Sequence, residues 1–541
     1  MPTGIDTAPP RGGNGRQCGE AERAQTVAER EQIGGIALQA LLQGVQVRSA
    51  LPEKQLRIRQ VANDSRKVAP GALFVAIHGV ATDGNLFAKD AAARGAVAIL
   101  SEGETPAEWP REIPWIQVSE GRKALATTAA NFYRGPAQAL KLVGVTGTNG
   151  KTTTTSLIDS ILRASGAKTG LFGTIAYHTP RGDRPAPNTT PESLDLQSFF
   201  AEIRDSGGTF ATLEASSHAL AMDRLWGCHF AVAVFTNLTR DHIDYHKTFE
   251  NYFAAKRMLF EGTGTGAPDV SVINTDDEWG KKLAALGKGT LTYGLQNGTD
   301  LKAKKFQLSF KGLNFMAQTP AGPIQVDSAL VGRINVYNIL AAIGAGIGLG
   351  LSSEVIEAGI RSLHAVSGRF ERVDVGQPFL VVVDYAHTDD ALENLIRTAR
   401  ELNMKGRIIT VFGCGGSRDR TKRPIMGELS GRLSDLSILT SDNPRQEDPL
   451  KIISDIVVGM QKSGGKYLIE PDRAKAIRMG VDEARAGDIV LLAGKGHEDY
   501  QIFSDHTIHL DDREEAKKAL GDRGYATAPG SPGSGGQGVG T

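Results

Sequence analysis

The sequence predicts an α/β protein of three domains, and three observations lead to this prediction. The chain has 541 residues, which at about 150 residues per domain corresponds to three or four domains. Short apolar runs rich in β-branched residues alternate with longer runs of helical periodicity, a pattern typical of parallel sheets covered by helices. One short run leads directly into a glycine-rich loop and then into a helix, which is the context of a phosphate-binding loop.

The alternation is clearest in the second and third predicted domains. Strands are predicted at residues 140–145, 231–235, 380–383, 408–412, 436–439 and 489–492. Helices are predicted at residues 152–164, 391–402 and 450–460. No convincing internal repeat interrupts this order, so the sequence favours separate α/β domains over a repeat architecture.

We predict domains at residues 32–136, 137–366 and 367–520. A turn at Arg134-Gly-Pro136 marks the first boundary, and residues 364–373 contain the second. The extension at residues 1–31 is polar and the tail at 521–541 is rich in Gly, Pro and Ser. Such compositions do not form a packed core, so both ends are predicted to be disordered.

Composition excludes several classes of function. Lys and Arg number 61, equal to Asp and Glu, so nothing indicates a nucleic-acid partner or an anionic membrane surface. The most apolar run, residues 339–351, is too short to span a bilayer, and the N-terminus lacks the apolar core of a secretory signal. Three widely spaced cysteines, Cys18, Cys228 and Cys414, favour a reducing, cytoplasmic setting.

The strongest local motif is LKLVGVTGTNGKTT at residues 140–153, which ends in the first turn of a predicted helix. Glycines allow backbone N–H groups to surround phosphate oxygens, and the helix N-terminus adds partial positive charge. Lys151 would reach the β- and γ-phosphates, and the Thr152 hydroxyl would bind Mg²⁺. Val145 occupies the position where a strict Walker A motif has its first glycine. The alternative is a glycine-rich turn that binds nothing.

The loop resembles that of the Mur ligases and the folylpolyglutamate synthases, and later segments match the Mur ligase family in order. The matching segments are TGTNGKT at 146–152, LEASSH at 213–218, TNLTRDHIDYH at 236–246, YFAAKR at 252–257, GRINVYN at 332–338, GRFER at 368–372 and DYAH at 384–387. The resemblance covers roughly residues 35 to 520. It implies a UDP-binding first domain, a P-loop ATPase second domain with a parallel sheet, and a Rossmann-like third domain.

Four further segments are similar to the branch of this family that adds the third residue of the peptidoglycan stem peptide. They are DSR at 64–66, NTTP at 188–191, DNPR at 442–445 and GKGHE at 494–498. This resemblance implies that ATP drives addition of meso-diaminopimelate to UDP-MurNAc-L-Ala-D-Glu through an acyl phosphate. Relatives that add lysine lack the arginine at the position of Arg445.

The resemblance also implies which residues bind the nucleotide and Mg²⁺. Catalytic roles would fall to Lys151, Glu214, His242 and Lys256. The metal ligands would be Thr152, Glu214, His242 and Lys256, the last as a carbamate (N6-carboxylysine). ATP would contact Gly147, Thr148, Asn149, Gly150, Lys151, Thr152, Thr153, Asn335, Asn338, Arg369 and Asp384. Without the resemblance, Lys256 would be an exposed helix lysine, Glu214 a capping or solvated carboxylate, and Asn335 a helix cap.

Two further sets of residues complete the expected site. UDP-MurNAc-dipeptide would contact Ser65, Arg66, Thr189, Thr190, Ser216, Arg224 and His387. meso-Diaminopimelate would contact Arg418, Asp442, Asn443, Pro444, Arg445, Gly494 and Glu498. A guanidinium can bind the distal carboxylate of diaminopimelate through two parallel hydrogen bonds. Lysine would leave Arg445 unpaired, so rejection could reach roughly 10⁴-fold. The alternative for residues 442–445 is an Asx-Pro turn with a surface arginine.

Three other functions remain alternatives at this point. A folylpolyglutamate-synthase-like ligase shares the loop, but it lacks a UDP-binding first domain like residues 35–135. A lysine-adding ligase is disfavoured by Arg445. A nucleotide-binding scaffold without turnover is disfavoured by the intact Lys151, Glu214, His242 and Lys256. The partners expected are the three small-molecule substrates, with no nucleic acid, no membrane insertion and a monomeric chain.

Overall fold

The structure is a computed structural model that describes residues 34–79, 82–285, 287, 289–402 and 405–525. Its N-terminal part contains a parallel four-stranded sheet in the order β3-β4-β5-β6 and a small antiparallel pair, β1 with β2. Three short 3-10 helices, Ser65–Lys67, Gly84–Phe87 and Pro136–Ala139, join these elements. The elements are β1 (Ile36–Ala37), α1 (Leu38–Leu41), β2 (Arg57–Ile58), β3 (Gln60–Ala62), β4 (Ala72–Ala76), α2 (Ala88–Ala93), β5 (Ala96–Ser101), β6 (Trp115–Gln117) and α3 (Gly121–Phe132).

An eleven-stranded sheet dominates the middle of the chain, in the order β10-β9-β8-β11-β7-β12-β13-β14-β15-β16-β17. Strands from β8 to β15 in this order run parallel, and antiparallel strands extend both edges. Its strands are β7 (Lys141–Thr146), β8 (Thr169–Phe172), β9 (Ala176–Thr179), β10 (Gly182–Pro185), β11 (Phe210–Glu214), β12 (Phe230–Phe235), β13 (Val270–Asn274), β14 (Thr290–Gly294), β15 (Leu301–Ser309), β16 (Gly312–Gln318) and β17 (Ile324–Ser328). Its helices are α4 (Lys151–Ala164), α5 (Ser193–Asp205), α6 (Ser217–Ala221), α7 (Ile243–His246), α8 (Phe249–Glu261), α9 (Glu278–Ala284), α10 (Arg333–Gly348) and α11 (Ser353–Ser362).

A six-stranded sheet follows, in the order β18-β19-β23-β20-β21-β22, and only β18 is antiparallel to its neighbour. A short hairpin, β24 with β25, lies beside it. Its strands are β18 (Glu371–Val373), β19 (Leu380–Asp384), β20 (Ile408–Phe412), β21 (Leu436–Leu439), β22 (Tyr467–Ile469), β23 (Ile489–Ala493), β24 (Tyr500–Ile502) and β25 (Thr507–His509). Its helices are α12 (Asp389–Leu402), α13 (Lys422–Leu433), α14 (Pro449–Ser463), α15 (Arg473–Glu483) and α16 (Asp512–Asp522).

The predicted α/β class and its parallel sheets are confirmed, and the named strands and helices lie within a few residues of the expected bounds. The sequence did not predict the meander β15–β17, where apolar and polar residues alternate because only one face is buried. The predicted tail begins too early, since α16 continues to Asp522. The extension at 1–31 and residues 526–541 lie outside the described residues.

The apolar run at 339–351 begins in α10 and extends past its last residue, Gly348. This helix packs against α4 and the strands of the central sheet. Gly344 and Gly346 allow this close approach, because a Cβ at either position would meet side chains of β13 and α11 at less than 3 Å. The contact fixes α4, and therefore the loop before it, against the sheet. Among the described residues no helix is both long and apolar enough to cross a membrane.

Candidate active site

The loop between β7 and α4 adopts a conformation that requires glycine at two positions. Gly147 has φ 149° and Gly150 has φ 88°. A Cβ on Gly147 would collide with the Thr236 hydroxyl, and one on Gly150 with the carboxamide of Asn338. Lys151 folds back over the loop and donates to the carbonyls of Gly147 (3.0 Å) and Thr148 (2.9 Å). The loop is therefore tightly wound and carries its cation on the inside, as phosphate binding requires.

A segment after β12 holds this loop from the side. Asn237 pairs with the backbone of Asn149: its Oδ1 accepts from the Asn149 N–H at 2.9 Å, and its Nδ2 donates to the Asn149 carbonyl at 3.1 Å. Thr236 donates to the same carbonyl at 2.6 Å. Sequence reasoning did not select either residue, although both lie in the matching segment 236–246.

One cavity collects most of the residues expected to bind ATP. The expected residues in its lining are Asn149, Gly150, Thr152, Thr153, Asn335, Asn338, Arg369 and Asp384. Val331, Ile334 and Leu395 supply apolar surface, and Asn394 and Thr398 were not predicted. The cavity therefore joins α4, α10 and α12 across two sheets and combines apolar walls with a few polar groups, as small-molecule sites do.

Two contacts tie the loop to the third sheet. Arg369 Nη2 donates to Thr152 Oγ1 at 3.0 Å, and Asn149 Nδ2 donates to Asp390 Oδ2 at 2.5 Å. Asp384, at the end of β19, accepts from the N–H of Phe370 at 2.7 Å. Burial raises the pKa of Asp384, and the nearby Arg369 charge opposes that shift.

Asn335 does not cap α10, contrary to the alternative drawn from the sequence. Gly332 precedes the helix, and Asn335 lies within its first turn. Its Nδ2 donates to the Val331 carbonyl at 2.7 Å, and its Oδ1 accepts from Asn338 Nδ2 at 2.8 Å. The two carboxamides thus orient each other at the wall of the cavity.

Glu214 is buried rather than solvated. It ends β11, and Thr174 donates to it through its N–H (2.9 Å) and its hydroxyl (3.1 Å). The expected dipeptide-binding residues lie beside it: Thr190 donates to the Glu214 carbonyl at 2.6 Å and to Ser216 Oγ at 3.1 Å. Thr189 Oγ1 lies 3.2 Å from Thr174 Oγ1, and Arg224 donates to the Thr190 carbonyl at 2.9 Å. These residues form one polar network.

Lys256 is also buried, contrary to the exposed position that a helix lysine usually takes. It is 1% exposed, and its Nζ donates to the Gly147 carbonyl at 2.7 Å. Burial lowers the pKa of Lys256 well below its ordinary value, and the neighbouring Lys151 charge lowers it further. Lys256 and Lys151 therefore contact the same carbonyl of the phosphate loop.

His242 stands in a cluster of rings next to this pair. It has φ 55°, and its Nε2 lies 3.3 Å from Asp241 Oδ2. The ring of His218 lies 4.7 Å from it, and His246 Nε2 lies 2.9 Å from Ser217 Oγ. Burial lowers the pKa of His242, so its ring is neutral near pH 7.

Ser65 and Arg66 are not brought together with the other expected substrate contacts. Ser65 is buried in its 3-10 helix. The Arg66 side chain is 84% exposed and pairs with Asp64 at 2.8 Å. A separate cavity of about 240 Å³ lies beside them and is lined instead by Asn63, Asp64, Lys67, Tyr133, Asp195 and Ser198, among others.

The largest cavity at the site, about 360 Å³, lies at the carboxyl edge of the third sheet and faces the histidine cluster. The expected residues in its lining are His242, His387, Arg418, Asp442, Asn443, Arg445, Gly494 and Glu498. His242 follows β12 of the central sheet, and the others follow β19, β20, β21 and β23, whose carboxyl ends meet at one edge. His218, Asp241, Asp244, Tyr385, Gly415, Asp419 and Lys422 complete the lining and were not predicted. Pro444 is not among the lining residues.

The two arginines of this cavity are held by backbone and not by acids. Arg445 has φ 52°, and its Nη1 donates to the Gly416 carbonyl at 3.1 Å. Arg418 donates to the Ser417 carbonyl at 3.2 Å. Within the described part of the chain, no carboxylate lies within 4 Å of either guanidinium. Burial and the Arg418 charge lower the pKa of Arg445. Both side chains are thus available to an external carboxylate.

A buried ion pair supports the same edge. Arg473 and Asp512 are both fully buried and pair through Nε (2.7 Å) and Nη2 (2.5 Å). Arg473 also donates to the carbonyls of Ser441 (3.3 Å) and Ala493 (3.0 Å), which directly precede Asp442 and Gly494. The pair therefore fixes the two segments that contribute Asp442 and Gly494 to the lining of the cavity.

Comparison with known proteins identifies this arrangement. Three family models match the chain: the Mur ligase family catalytic domain at 57–133, the Mur ligase middle domain at 145–346, and the Mur ligase glutamate ligase domain at 368–496. A UDP-N-acetylmuramoyl-L-alanyl-D-glutamate–2,6-diaminopimelate ligase of Solibacter usitatus is 53% identical over 87% of this chain and 95% of its own length. The protein of the same name from Geobacillus kaustophilus is 47% identical, over 85% and 94%.

A solved structure agrees with the sequence relatives. It carries the same ligase name, is 34% identical, and has a TM-score of 0.63 over 91% of this chain and 100% of its own. The ranges matched by the middle-domain and glutamate-ligase-domain models contain the glycine-rich loop, the polar network around Glu214 and most of the lining of both cavities. This chain belongs to the Mur ligase family.

Proposed function

We propose that this chain is an ATP-dependent ligase that adds meso-diaminopimelate to UDP-MurNAc-L-Ala-D-Glu in peptidoglycan biosynthesis. The observation that carries the proposal is the cavity of about 360 Å³ whose lining contains Arg418, Arg445, Asp442 and Glu498. Unpaired guanidinium groups suit carboxylates, and carboxylate side chains suit ammonium groups. An amino acid with a zwitterion at each end provides both. The names of the relatives at 43–53% identity support the same substrate.

The reaction has two steps. A carboxylate oxygen of D-Glu attacks the γ-phosphorus of ATP, the bond from that phosphorus to the bridging oxygen breaks, and ADP leaves. The amine of diaminopimelate then attacks the acyl carbon, a proton is released, and inorganic phosphate leaves as the amide forms. The protein contributes mainly by positioning and by neutralising charge. Lys151, wound inside its loop, is the cation closest to the expected phosphates.

Magnesium fits the polar side of the phosphate loop. Mg²⁺ is usually held by one or two carboxylates together with phosphate oxygens and water. Glu214 offers one buried carboxylate and Thr152 a hydroxyl, and His242 lies on the adjoining segment. The bound ion would neutralise phosphate charge. In the described part of the chain no three His, Cys, Asp or Glu side chains form a preassembled metal site, so the remaining ligands would come from substrate.

Lys256 suits carbamylation, which we include in the proposal. Reaction with CO₂ requires the neutral amine, whose nitrogen attacks the carbon of CO₂ and then loses a proton. Burial and the Lys151 charge favour that neutral form by lowering the pKa of Lys256. The resulting carboxylate would bring a negative charge beside Lys151 and add an oxygen ligand for Mg²⁺.

We propose that the three sheets mark three domains at residues 32–136, 137–366 and 367–520, which bind the UDP moiety, ATP and the amino acid. The contacts Arg369–Thr152 and Asn149–Asp390 support an active site assembled where the second and third domains meet. We also propose a cytoplasmic location, because ATP and UDP-linked precursors are supplied in that compartment. We further propose that the chain is a monomer.

The proposal is tested by phosphate release from the purified protein with ATP, Mg²⁺ and UDP-MurNAc-L-Ala-D-Glu. We expect turnover with meso-diaminopimelate and at least a hundredfold less with L-lysine. The Lys151→Met variant serves as the control without turnover. Preference for lysine would leave a ligase but remove the assignment of Arg445, and no turnover with either amino acid would overturn the proposal.

A further inference from the structure

A fully buried lysine lies directly behind the amino-acid cavity. Lys495 follows β23, and its side chain is 0% exposed. Its Nζ lies 3.2 Å from Glu498 Oε2, 3.2 Å from Asn443 Oδ1 and 3.7 Å from Asp442 Oδ1. These three partners line the cavity, whereas Lys495 does not. A buried lysine is rare unless it is paired, so its position requires the groups that it contacts.

Lys495 orients two of the cavity residues at once. Asn443 Oδ1 accepts from Lys495 and also from the Ile502 N–H at 3.0 Å, and this fixes which end of the carboxamide faces Glu498. Asn443 Nδ2 then donates to Glu498 Oε2 at 2.9 Å. The ammonium and the carboxamide therefore hold the same carboxylate oxygen of Glu498. The other carboxylate oxygen, Oε1, remains for a ligand.

The positive charge of Lys495 also contributes to the net charge around the cavity. The carboxylates of Asp442 and Glu498 line the cavity, and Lys495 is their only cation within 4 Å among the described residues. Asp442 Oδ1 is buried without a hydrogen-bond partner in that same part of the chain. Burial raises the pKa of Asp442, but the charges of Lys495 and Arg473 outweigh this effect and hold it below its ordinary value. The Asp442 carboxylate is thus kept ionised.

We propose that Lys495 is a positioning and specificity-determining residue of the amino-acid cavity. It orients Glu498 and neutralises the charge of one lining carboxylate. The cavity therefore favours an amino acid with a distal zwitterion over one with a distal ammonium alone. Without Lys495, the cavity would lose one positive charge, and the more negative surroundings would favour lysine over diaminopimelate. The inference rests on the proposed function, since it concerns the selection of that substrate.

The test compares Lys495→Met with the unsubstituted chain for both amino acids, by ATP-dependent phosphate release. We expect the KM for diaminopimelate to rise at least tenfold, because hydrogen bonds to charged groups are lost. The KM for ATP and kcat should stay within about twofold. The ratio of kcat/KM for diaminopimelate to that for lysine should fall about tenfold. Lys518→Met, the same change at an exposed position of α16, should alter none of these values.

Lys495→Met leaves buried carboxylates without a cation, which favours poor folding. A second comparison therefore tests the inference independently of the stability of the single variant. Lys495→Met is introduced into Glu498→Gln, and the double variant is compared with Glu498→Gln alone. If Lys495 acts largely through Glu498, the added change lowers the substrate ratio much less than tenfold. An unchanged ratio in a folded Lys495→Met, or an equal loss in both backgrounds, would overturn the inference. Absence of diaminopimelate turnover by the unsubstituted chain would instead overturn the proposed function, and the inference with it.

Discussion

Replacing Arg445 by Met should remove most of the preference for diaminopimelate. In the structure Arg445 commits Nη1 to the Gly416 carbonyl, which leaves Nη2 and Nε as one edge for a carboxylate. Each hydrogen bond between charged groups contributes about 1.5–3 kcal/mol, so two such bonds contribute roughly 3–6 kcal/mol. Since about 1.4 kcal/mol corresponds to a tenfold change, kcat/KM for diaminopimelate should fall roughly 10²- to 10⁴-fold.

The same variant should affect lysine little, because lysine has no distal carboxylate. Arg445→Lys keeps the charge but loses the planar fork, so it should lose about ten- to a hundredfold toward diaminopimelate. The assay is phosphate release at saturating ATP with each amino acid in turn. Arg397→Met, at an exposed position of α12, is the matched control. If Arg445→Met kept its preference for diaminopimelate, Arg445 would be only the surface residue of a turn and the reasoning would fail.

Three further predictions concern the supporting residues. Carbon-13-labelled bicarbonate should give a carbamate signal in the NMR spectrum, because burial lowers the pKa of Lys256 and so favours the neutral amine. Lys256→Met should abolish both that signal and turnover. Arg473→Met should lower the free energy of unfolding by about 3–5 kcal/mol in urea titrations, since it strands the buried Asp512; the double change Arg473→Met with Asp512→Leu should recover most of it. Burial lowers the pKa of His246 to about 4 from 6.5, so stability should be full above pH 6.5 and fall toward pH 4, and His246→Gln should flatten this dependence.

Each of these has a result that would contradict it. A carbamate signal that survives Lys256→Met would place the modification elsewhere. A loss of less than about 1 kcal/mol for Arg473→Met would mean that solvent or a rearranged partner compensates for the stranded carboxylate. Equal slopes of stability against pH with and without His246 would mean that this ring is free to protonate in the folded state.

The chemistry of short contiguous segments could be predicted before the structure. The loop at 146–152 could be predicted from its own residues, because Gly147 and Gly150 can take up positive φ and Lys151 begins the helix that follows. The strands β7, β19, β20, β21 and β23 were identified because each is a short apolar run. Polar residues that directly follow such a run could then be predicted as site residues. Such features depend on neighbours in sequence.

Other features depend on residues far apart in the chain. Lys256 reads as an exposed helix lysine, yet it is buried because α8 packs its side chain under the phosphate loop 109 residues away. Arg66 pairs with Asp64 at an exposed position, and its contact with substrate stays a prediction. Lys422 and Asp241 line the amino-acid cavity, although no spacing in the sequence relates them.

The sequence by itself determined the α/β class, the phosphate loop and the family to which the chain belongs. These rest on local backbone preference and on residue order, which the tertiary contacts do not alter. Only the tertiary structure decided which charges are buried and with what partner: Lys495 with Asp442 and Glu498, and Arg473 with Asp512. The physical reason is that desolvation and pairing depend on which distant segments meet, and a buried charge is stable only where such a meeting supplies its partner.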